Sequence, residues 1–325
     1  MIRTRLYRDG KCVEENFDPA LISDHLEAKD ACVVWLDLDA PGPKDLELIA
    51  EEFGLNPLAV EDATTERQRP KLDHYDDHVF ISLYDVALEK DTGTLVAHEL
   101  AVFASERYLI TVRKSPNYSL DAVVSRWDDN AHLAKYGVGY LLWGLLDVVV
   151  DAHFDTVQQL DDRIDALEDL LFDPSETGTA VQRESYELRK SLVRIRRVVL
   201  PTREVLNSLM RRESKLVDDA LMPYYQDVYD HVLRAADWTD SLRDLVSTIL
   251  ETHLTIQGNR MNEIMKKVTS WAAIAAVPAV VTGYYGMNVL TYPHSDTNAG
   301  GYAALGLMGG LVALLYIVFK KIDWL

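Results

Sequence analysis

Lys266-Lys-Val-Thr-Ser-Trp-Ala-Ala-Ile-Ala-Ala-Val-Pro-Ala-Val-Val-Thr-Gly-Tyr-Tyr-Gly-Met-Asn288 decides the reading of this chain. After the two lysines no residue up to Asn288 is charged, and a second uncharged run covers Thr297 to Phe319 before Lys320-Lys321. Each run is close to the ~20 residues a helix needs to cross a bilayer core. The segment between them, Val289 to Gly300, holds no Lys or Arg, only His294 and Asp296. Lysine pairs outside two spans place both termini in the cytoplasm and the short loop outside. The expectation is a multi-pass protein of the plasma (inner) membrane of a prokaryote.

The two spans differ in character. The first carries five alanines with Thr269, Ser270, Thr282, Gly283 and Pro278, a composition suited to close packing or to lining a pore. The second, with Leu305, Leu307, Leu311, Val312, Leu314, Leu315, Ile317, Val318 and Phe319, reads as lipid-facing. Gly286-Met287-Asn288 closes the first span. An amide there can hydrogen-bond the water shell of a passing cation without carrying charge. That points to ion passage rather than catalysis.

Composition narrows the classes further. The 325 residues carry a formal charge of −19, almost all of it on residues 1–267, which disfavours nucleic acid. Cys12 and Cys32 sit in no metal-ligand spacing, which fits a reducing compartment. The N-terminus lacks the apolar core of a signal peptide, so the large first part is expected in the cytoplasm. No Ser/His/Asp, Cys/His or phosphate-loop constellation is present, so neither an enzyme nor an organic substrate is expected. His74, His78 and His98 read as structural.

Residues 1–145 mix strand and helix signals. Arg5 to Val13 reads as a hairpin around Asp9-Gly10, and Cys32–Leu38, His78–Leu83, Glu99–Phe103 and Tyr108–Val112 read as strands. Asp45 to Phe53 has helical spacing, and Gly54-Leu55-Asn56-Pro57 reads as a turn. Residues 146–222 read as a helical hairpin. Asp147 to Asp173 is acidic with a single Arg163, Arg183 to Arg212 is basic, and opposite charges suggest an antiparallel pair. A divalent-cation role is the other reading of the acidic face.

From Pro223 to Pro278 no proline intervenes. Val228, Val232, Ala235, Trp238, Leu242, Leu245 and Ile249 form an amphipathic stripe. A helix of ~55 residues would run about 80 Å. The spacing predicts a stalk over 223–267 continuing without a break into the transmembrane part, 268–325, with spans at about 268–286 and 299–319; a break near Gly258 is the alternative. The fold class is thus an α/β cytosolic domain, a long helical stalk and a two-helix transmembrane hairpin.

These residues resemble the CorA family of divalent-cation channels. The resemblance rests on Tyr285-Gly-Met-Asn288 at the end of the first of two C-terminal spans and on Lys320-Lys321 followed by Trp324-Leu325. Glu61-Asp62 with Gln68-Arg-Pro-Lys71, and Pro223-Tyr-Tyr-Gln-Asp-Val-Tyr-Asp-His231, add to it, so that it covers residues 57 to 325. It implies a homopentameric funnel in the lipid bilayer, with the first span of each subunit lining the pore. By that analogy Asn262, Met265, Val268, Ala272, Ala276, Ala279 and Gly283 line the pore, and Gly286, Met287 and Asn288 form the selectivity filter. Mg²⁺ dehydrates reluctantly, so amide oxygens that bind its waters suit it. Met265 and Val268 would make an apolar girdle.

The resemblance also implies regulatory Mg²⁺ between subunits, held by Asp62 of one and Asp227 of the next with Glu61 and Asp230 nearby. Asp227 and Asp230 stand one helical turn apart, as such a site needs. The family's usual acidic outer loop is replaced here by Leu290 to Asn298, leaving Asp296 as the one acid for cation capture. Ala276 and Ala279 are smaller than is common at that depth. The expected cargo is Mg²⁺, with Co²⁺ or Ni²⁺ admitted. A Zn²⁺ or Co²⁺ transporter on the same fold and a non-conducting membrane-anchored metal sensor are the competing readings, and Met287 speaks against the zinc branch.

Overall fold

Asp9 and Gly10 both adopt positive φ, 49° and 72°, and turn β1 (Ile2–Arg8) into β2 (Lys11–Glu15). That is the two-residue turn whose twist matches the strands. A side chain at Gly10 would also meet the Lys135 backbone at 2.9 Å, so only glycine fits. In the computed structural model, residues 2–27, 32–65, 68–89, 92–115, 118–172, 178–211, 216–287 and 298–325 are described.

The chain divides into two units, Met1–Ile249 and Leu250–Leu325. The first is built on a seven-stranded sheet in the order β2-β1-β3-β7-β6-β5-β4. Here β3 is Cys32–Asp39, β4 Lys71–His74, β5 Val79–Leu88, β6 Leu95–Ala104 and β7 Tyr108–Arg113. Among the described residues only β3 and β7 pair in parallel. Side chains alternate between the two faces of this sheet, and both faces are covered. Leu36, Phe80, Phe103 and Ile110 meet Ile22 of α1 (Ile22–Glu27), Leu46 of α2 (Pro43–Phe53) and Ala59 of α3 (Pro57–Thr64). On the opposite face, Trp35, Ile81, Leu83, Leu100 and Leu109 meet α4 (Asp121–Asp129) and α5 (Val138–Phe172).

The turn at Gly54 to Pro57 joins two helices rather than only reversing the chain. Gly54 ends α2 in the left-handed region, and the Asn56 side chain accepts the Leu58 N–H at 2.9 Å to start α3. This places Glu61 and Asp62 near the end of α3.

Helix α6 (Gly178–Leu209) packs along α5, as the adjacent charge blocks suggest, but the contact is apolar. Leu160, Ile164 and Leu167 share one buried cluster with Leu188, Leu192 and Ile195. Among the described residues the α5–α6 ion pair runs opposite to the expected polarity: Arg163 of the acidic helix meets Glu184 of the basic one. The acids of α5 turn elsewhere, Asp147 and Asp151 to Arg126 of α4, while Arg196 of α6 reaches Asp240 at 2.6 Å. Burial of an apolar stripe outweighs exposed ion pairs worth ~0–1 kcal/mol each, so hydrophobic spacing chooses the faces.

Helix α7 runs from Met222 to Tyr285 without interruption, through Gly258 and Pro278. Its Val228, Val232, Ala235, Leu242 and Ile249 are buried in the first unit, with Trp238 and Leu245 packed at the margin. In the second unit α8 (Asn298–Lys321) leaves Leu305, Leu307, Leu314 and Ile317 exposed, the surface expected of a helix solvated by lipid. Both α7 and α8 contain segments long and apolar enough to cross a membrane.

Candidate permeation path and regulatory acids

The end of α8 fixes its direction against α7. Trp324 lines one cavity with Asn262, Lys266 and Thr269, so the two helices of the second unit run antiparallel. Asp323 takes φ 60°, and the Trp324 N–H reaches back to the Phe319 carbonyl at 2.9 Å. The Asp323 N–H points to the Lys320 carbonyl at 3.4 Å, and the Phe319 and Trp324 rings stack. This is a Schellman ending with its apolar contact, and it sets the Trp324 ring beside Lys266.

Helix α7 continues through Pro278, which offers no N–H to the Ile274 carbonyl, and the Thr282 hydroxyl donates to the Pro278 carbonyl at 2.7 Å. The helix closes with Gly286 N–H on the Thr282 carbonyl at 2.8 Å. A side chain at Gly286 would come within 3.0 Å of that same carbonyl, so the small residue suits this ending.

Around the helix the two faces contrast sharply. Met265 and Val268 are 59 % and 62 % exposed, and Asn262, Ala272, Ala276, Ala279 and Gly283 are exposed with them. Ser270 and Val281, on the other face, are 0 % and 5 % exposed, with Ile274 and Val277 partly covered between them. At ~100° per residue, Val268 and Ser270 stand about 200° apart. All seven residues expected to line a pore are exposed and fall on one side by helical spacing. A covered opposite side is present from Ser270 to Val281, while every residue from Gln257 to Thr269 is exposed. Gly286 and Met287 are exposed beyond it, whereas Asn288 and Asp296 lie outside the described residues.

The four acids expected to regulate lie in the first unit. Asp62 is engaged: the Lys71 ammonium donates to its carboxylate at 2.6 Å and to that of Asp73 at 2.7 Å. Burial works against the Lys71 charge, but the hydrogen bonds to Asp62 and Asp73 outweigh it and raise its pKa. Lys114 donates to the Asp62 carbonyl at 3.2 Å, to the Thr65 carbonyl and to Glu99, which fixes the end of α3. Glu61 and Asp227 are exposed, and Asp230 is exposed with one hydrogen bond from Gln226 at 2.9 Å. Within one chain no group of three or more His, Cys, Asp or Glu residues is arranged to hold a metal among the described residues. The side chains of the four acids offer hard oxygens of the kind Mg²⁺ takes.

Sequence reading missed Lys71 and Lys114 as partners of Asp62. Lys71 was visible within Gln68-Arg-Pro-Lys71, but β4, which carries it, is a short, charged edge strand without an apolar alternation. His78 and His98 stack on Tyr75 and Tyr118, and burial lowers their pKa values, whereas His74 is exposed.

Known proteins resemble the whole chain. It is 32 % identical over 293 residues to the cobalt/magnesium transport protein CorA of Thermotoga maritima, covering 90 % of this chain and 83 % of that one. It is 24 % identical over 295 residues to the zinc transport protein ZntB of Yersinia pestis, covering 90 % and 88 %. The complete structure of the CorA magnesium transporter from Methanocaldococcus jannaschii has the same fold, with a TM-score of 0.78 at 21 % identity over 100 % of this chain and 99 % of that one. The family model described as CorA-like Mg²⁺ transporter protein matches residues 30–321; the chain belongs to that family and is a divalent-cation transporter of the membrane.

Proposed function

We propose that this protein is a Mg²⁺ channel, assembled as a homopentamer, that takes up hydrated Mg²⁺ under the control of cytosolic Mg²⁺. One observation carries the reading. A single helix leaves the sheet-packed unit and, in its apolar half, opens one face made of Asn262, Met265, Val268, Ala272, Ala276, Ala279 and Gly283. One such helix cannot enclose an ion with its water, and a ring of copies about a cyclic axis can. Small side chains keep the path wide enough for a hydrated ion. The ring of Gly286, Met287 and Asn288 would meet that ion with neutral oxygens, which lets it leave again. Lysine pairs flanking both spans support termini and a large unit on the cytoplasmic side.

Control would come from the acids of the first unit. Asp227 and Asp230 of one subunit facing Glu61 and Asp62 of the next would repel one another without metal, and Mg²⁺ held through their hard oxygens would offset that repulsion across the interface. A cation bound more tightly in the closed arrangement shifts the population toward it, so falling cytosolic Mg²⁺ opens the path. The 32 % identity to the cobalt/magnesium transport protein of Thermotoga maritima supports Mg²⁺ and Co²⁺ as cargo.

Flux into liposomes loaded with a Mg²⁺ dye tests the reading. Wild type should pass Mg²⁺, Asn288→Ala should lose most of the flux, and an inert hexaammine complex should block. A wild type that passes no divalent cation would leave the metal-sensing scaffold as the better account.

A further inference from the structure

The contact between Asp62 and Lys71 bears on how the regulatory acids set their own sensitivity. Among the described residues, Asp62 is the one acid of the four that is paired with a cation from its own chain. The pair is neither deeply buried nor fully solvated, with the two side chains 23 % and 24 % exposed. It is built rather than incidental. Lys71 is held in register opposite Ser82 on β4, its ammonium lies 5.7 Å from the Phe80 ring centroid, and Asp73 provides a second carboxylate at 2.7 Å. Lys114 meanwhile fixes the backbone at Asp62 and Thr65, so the carboxylate cannot escape Lys71 by moving α3 as a whole.

A divalent cation approaching Asp62 therefore meets an oxygen already bonded to an ammonium, and a second positive charge close by. The two cations repel across a few ångströms in a partly desolvated setting, where charge interactions reach several kcal/mol. Displacement is nonetheless feasible, because Lys71 keeps Asp73 when it gives up Asp62. It exchanges two carboxylates for one instead of being left bare.

We propose that Lys71 is a tethered counter-ion that competes with the regulatory divalent cation for Asp62 and so sets the concentration at which that cation binds. This rests on the reading of Asp62 as a regulatory ligand. Lys71 is a positioning residue here; it touches the ligand carboxylate, not the transported ion. A lysine in this place weakens binding and moves the response toward the millimolar range, where a sensor of an abundant cation must work. Without it the same acids would saturate at a lower concentration and hold the path shut.

The test is equilibrium binding of Mg²⁺ to the full-length protein in detergent, read by calorimetry and by the Mg²⁺-dependent rise in melting temperature. Lys71→Met and Lys71→Gln should each lower the half-saturating Mg²⁺ about tenfold, the scale expected when a partly buried charge beside the ligand is removed. Lys71→Arg, which keeps the charge, should stay near wild type. Asp62→Asn should weaken binding, and adding Lys71→Met to it should make no further difference. Circular dichroism identifies any variant that fails to fold, and the Met and Gln changes are independent of each other in that respect. Unchanged or weaker binding in a folded neutral variant overturns the proposal, as does an Arg variant that binds like Met. Wild-type affinity in Asp62→Asn overturns the regulatory reading of Asp62, and the proposal falls with it.

Discussion

The Tyr225 hydroxyl donates to the Gly139 carbonyl at 2.8 Å, joining the first turn of α7 to the first turn of α5. Tyr225 is fully buried, so this bond and the packing around it hold the start of the long helix to the sheet-bearing unit. Tyr225→Phe keeps the ring and removes the donor. Melting of the detergent-solubilised protein should show a loss of about 1 kcal/mol, the usual net value of one such bond. An unchanged melting temperature would mean that packing alone seats α7.

A second test concerns the buried pair that locks the parallel strands. Asp37 on β3 is 0 % exposed and is held by Arg113 at 2.8 Å and by the Thr111 hydroxyl at 2.8 Å, both on β7. Burial pushes the Asp37 carboxyl up, and Arg113 and Thr111 draw it only partly back. Arg113→Met strands this carboxylate and should cost about 3–5 kcal/mol, while Asp37→Asn with Arg113→Met should recover part of the loss. Equal losses in the single and double variants would show that packing of the arginine stem matters more than its charge.

His153 predicts a pH dependence. It is fully buried on α5, and its Nε2 donates to the Tyr84 carbonyl at 2.7 Å. Burial holds its pKa down to about 4, with the Tyr84 bond opposing only in part. The folded pKa lies below the ordinary ~6.5, so the unfolded chain takes the proton first as pH falls. The contribution is complete above ~6.5 and is lost as pH drops toward 4, about 2 kcal/mol of it by pH 5. His153→Gln, which can still donate to Tyr84, should lose less stability than wild type between pH 7 and 5. Parallel pH profiles for the two proteins would contradict this.

How far the sequence speaks depends on the scale of the signal. Local signals read well: Asp9-Gly10 sets its hairpin, short apolar runs find β3, β5, β6 and β7, and the stripe from Val228 to Ile249 marks the buried face of α7. Gly258 does not break α7, because a single glycine costs only ~1 kcal/mol in a helix. Reading failed where polar partners are chosen by tertiary placement. The acidic and basic helices meet through Leu160 and Leu192 while their charges look to α4 and α7. The Lys71 pairing needed β4, an edge strand with one neighbour and no apolar rhythm. The face from Asn262 to Gly283 came from the family resemblance, with helical spacing keeping its residues on one side, whereas the burial contrast with Ser270 required the second helix.

The central claim is that this open face of α7 carries the ions. Single cysteines placed in a Cys12→Ser, Cys32→Ser background can be probed with a cationic thiol reagent while divalent flux is recorded. The account predicts that Ala272→Cys, Ala276→Cys and Ala279→Cys react and lose flux, while Ile274→Cys and Val277→Cys keep it. Block confined to the Ile274 and Val277 face, or equal on both, would contradict it.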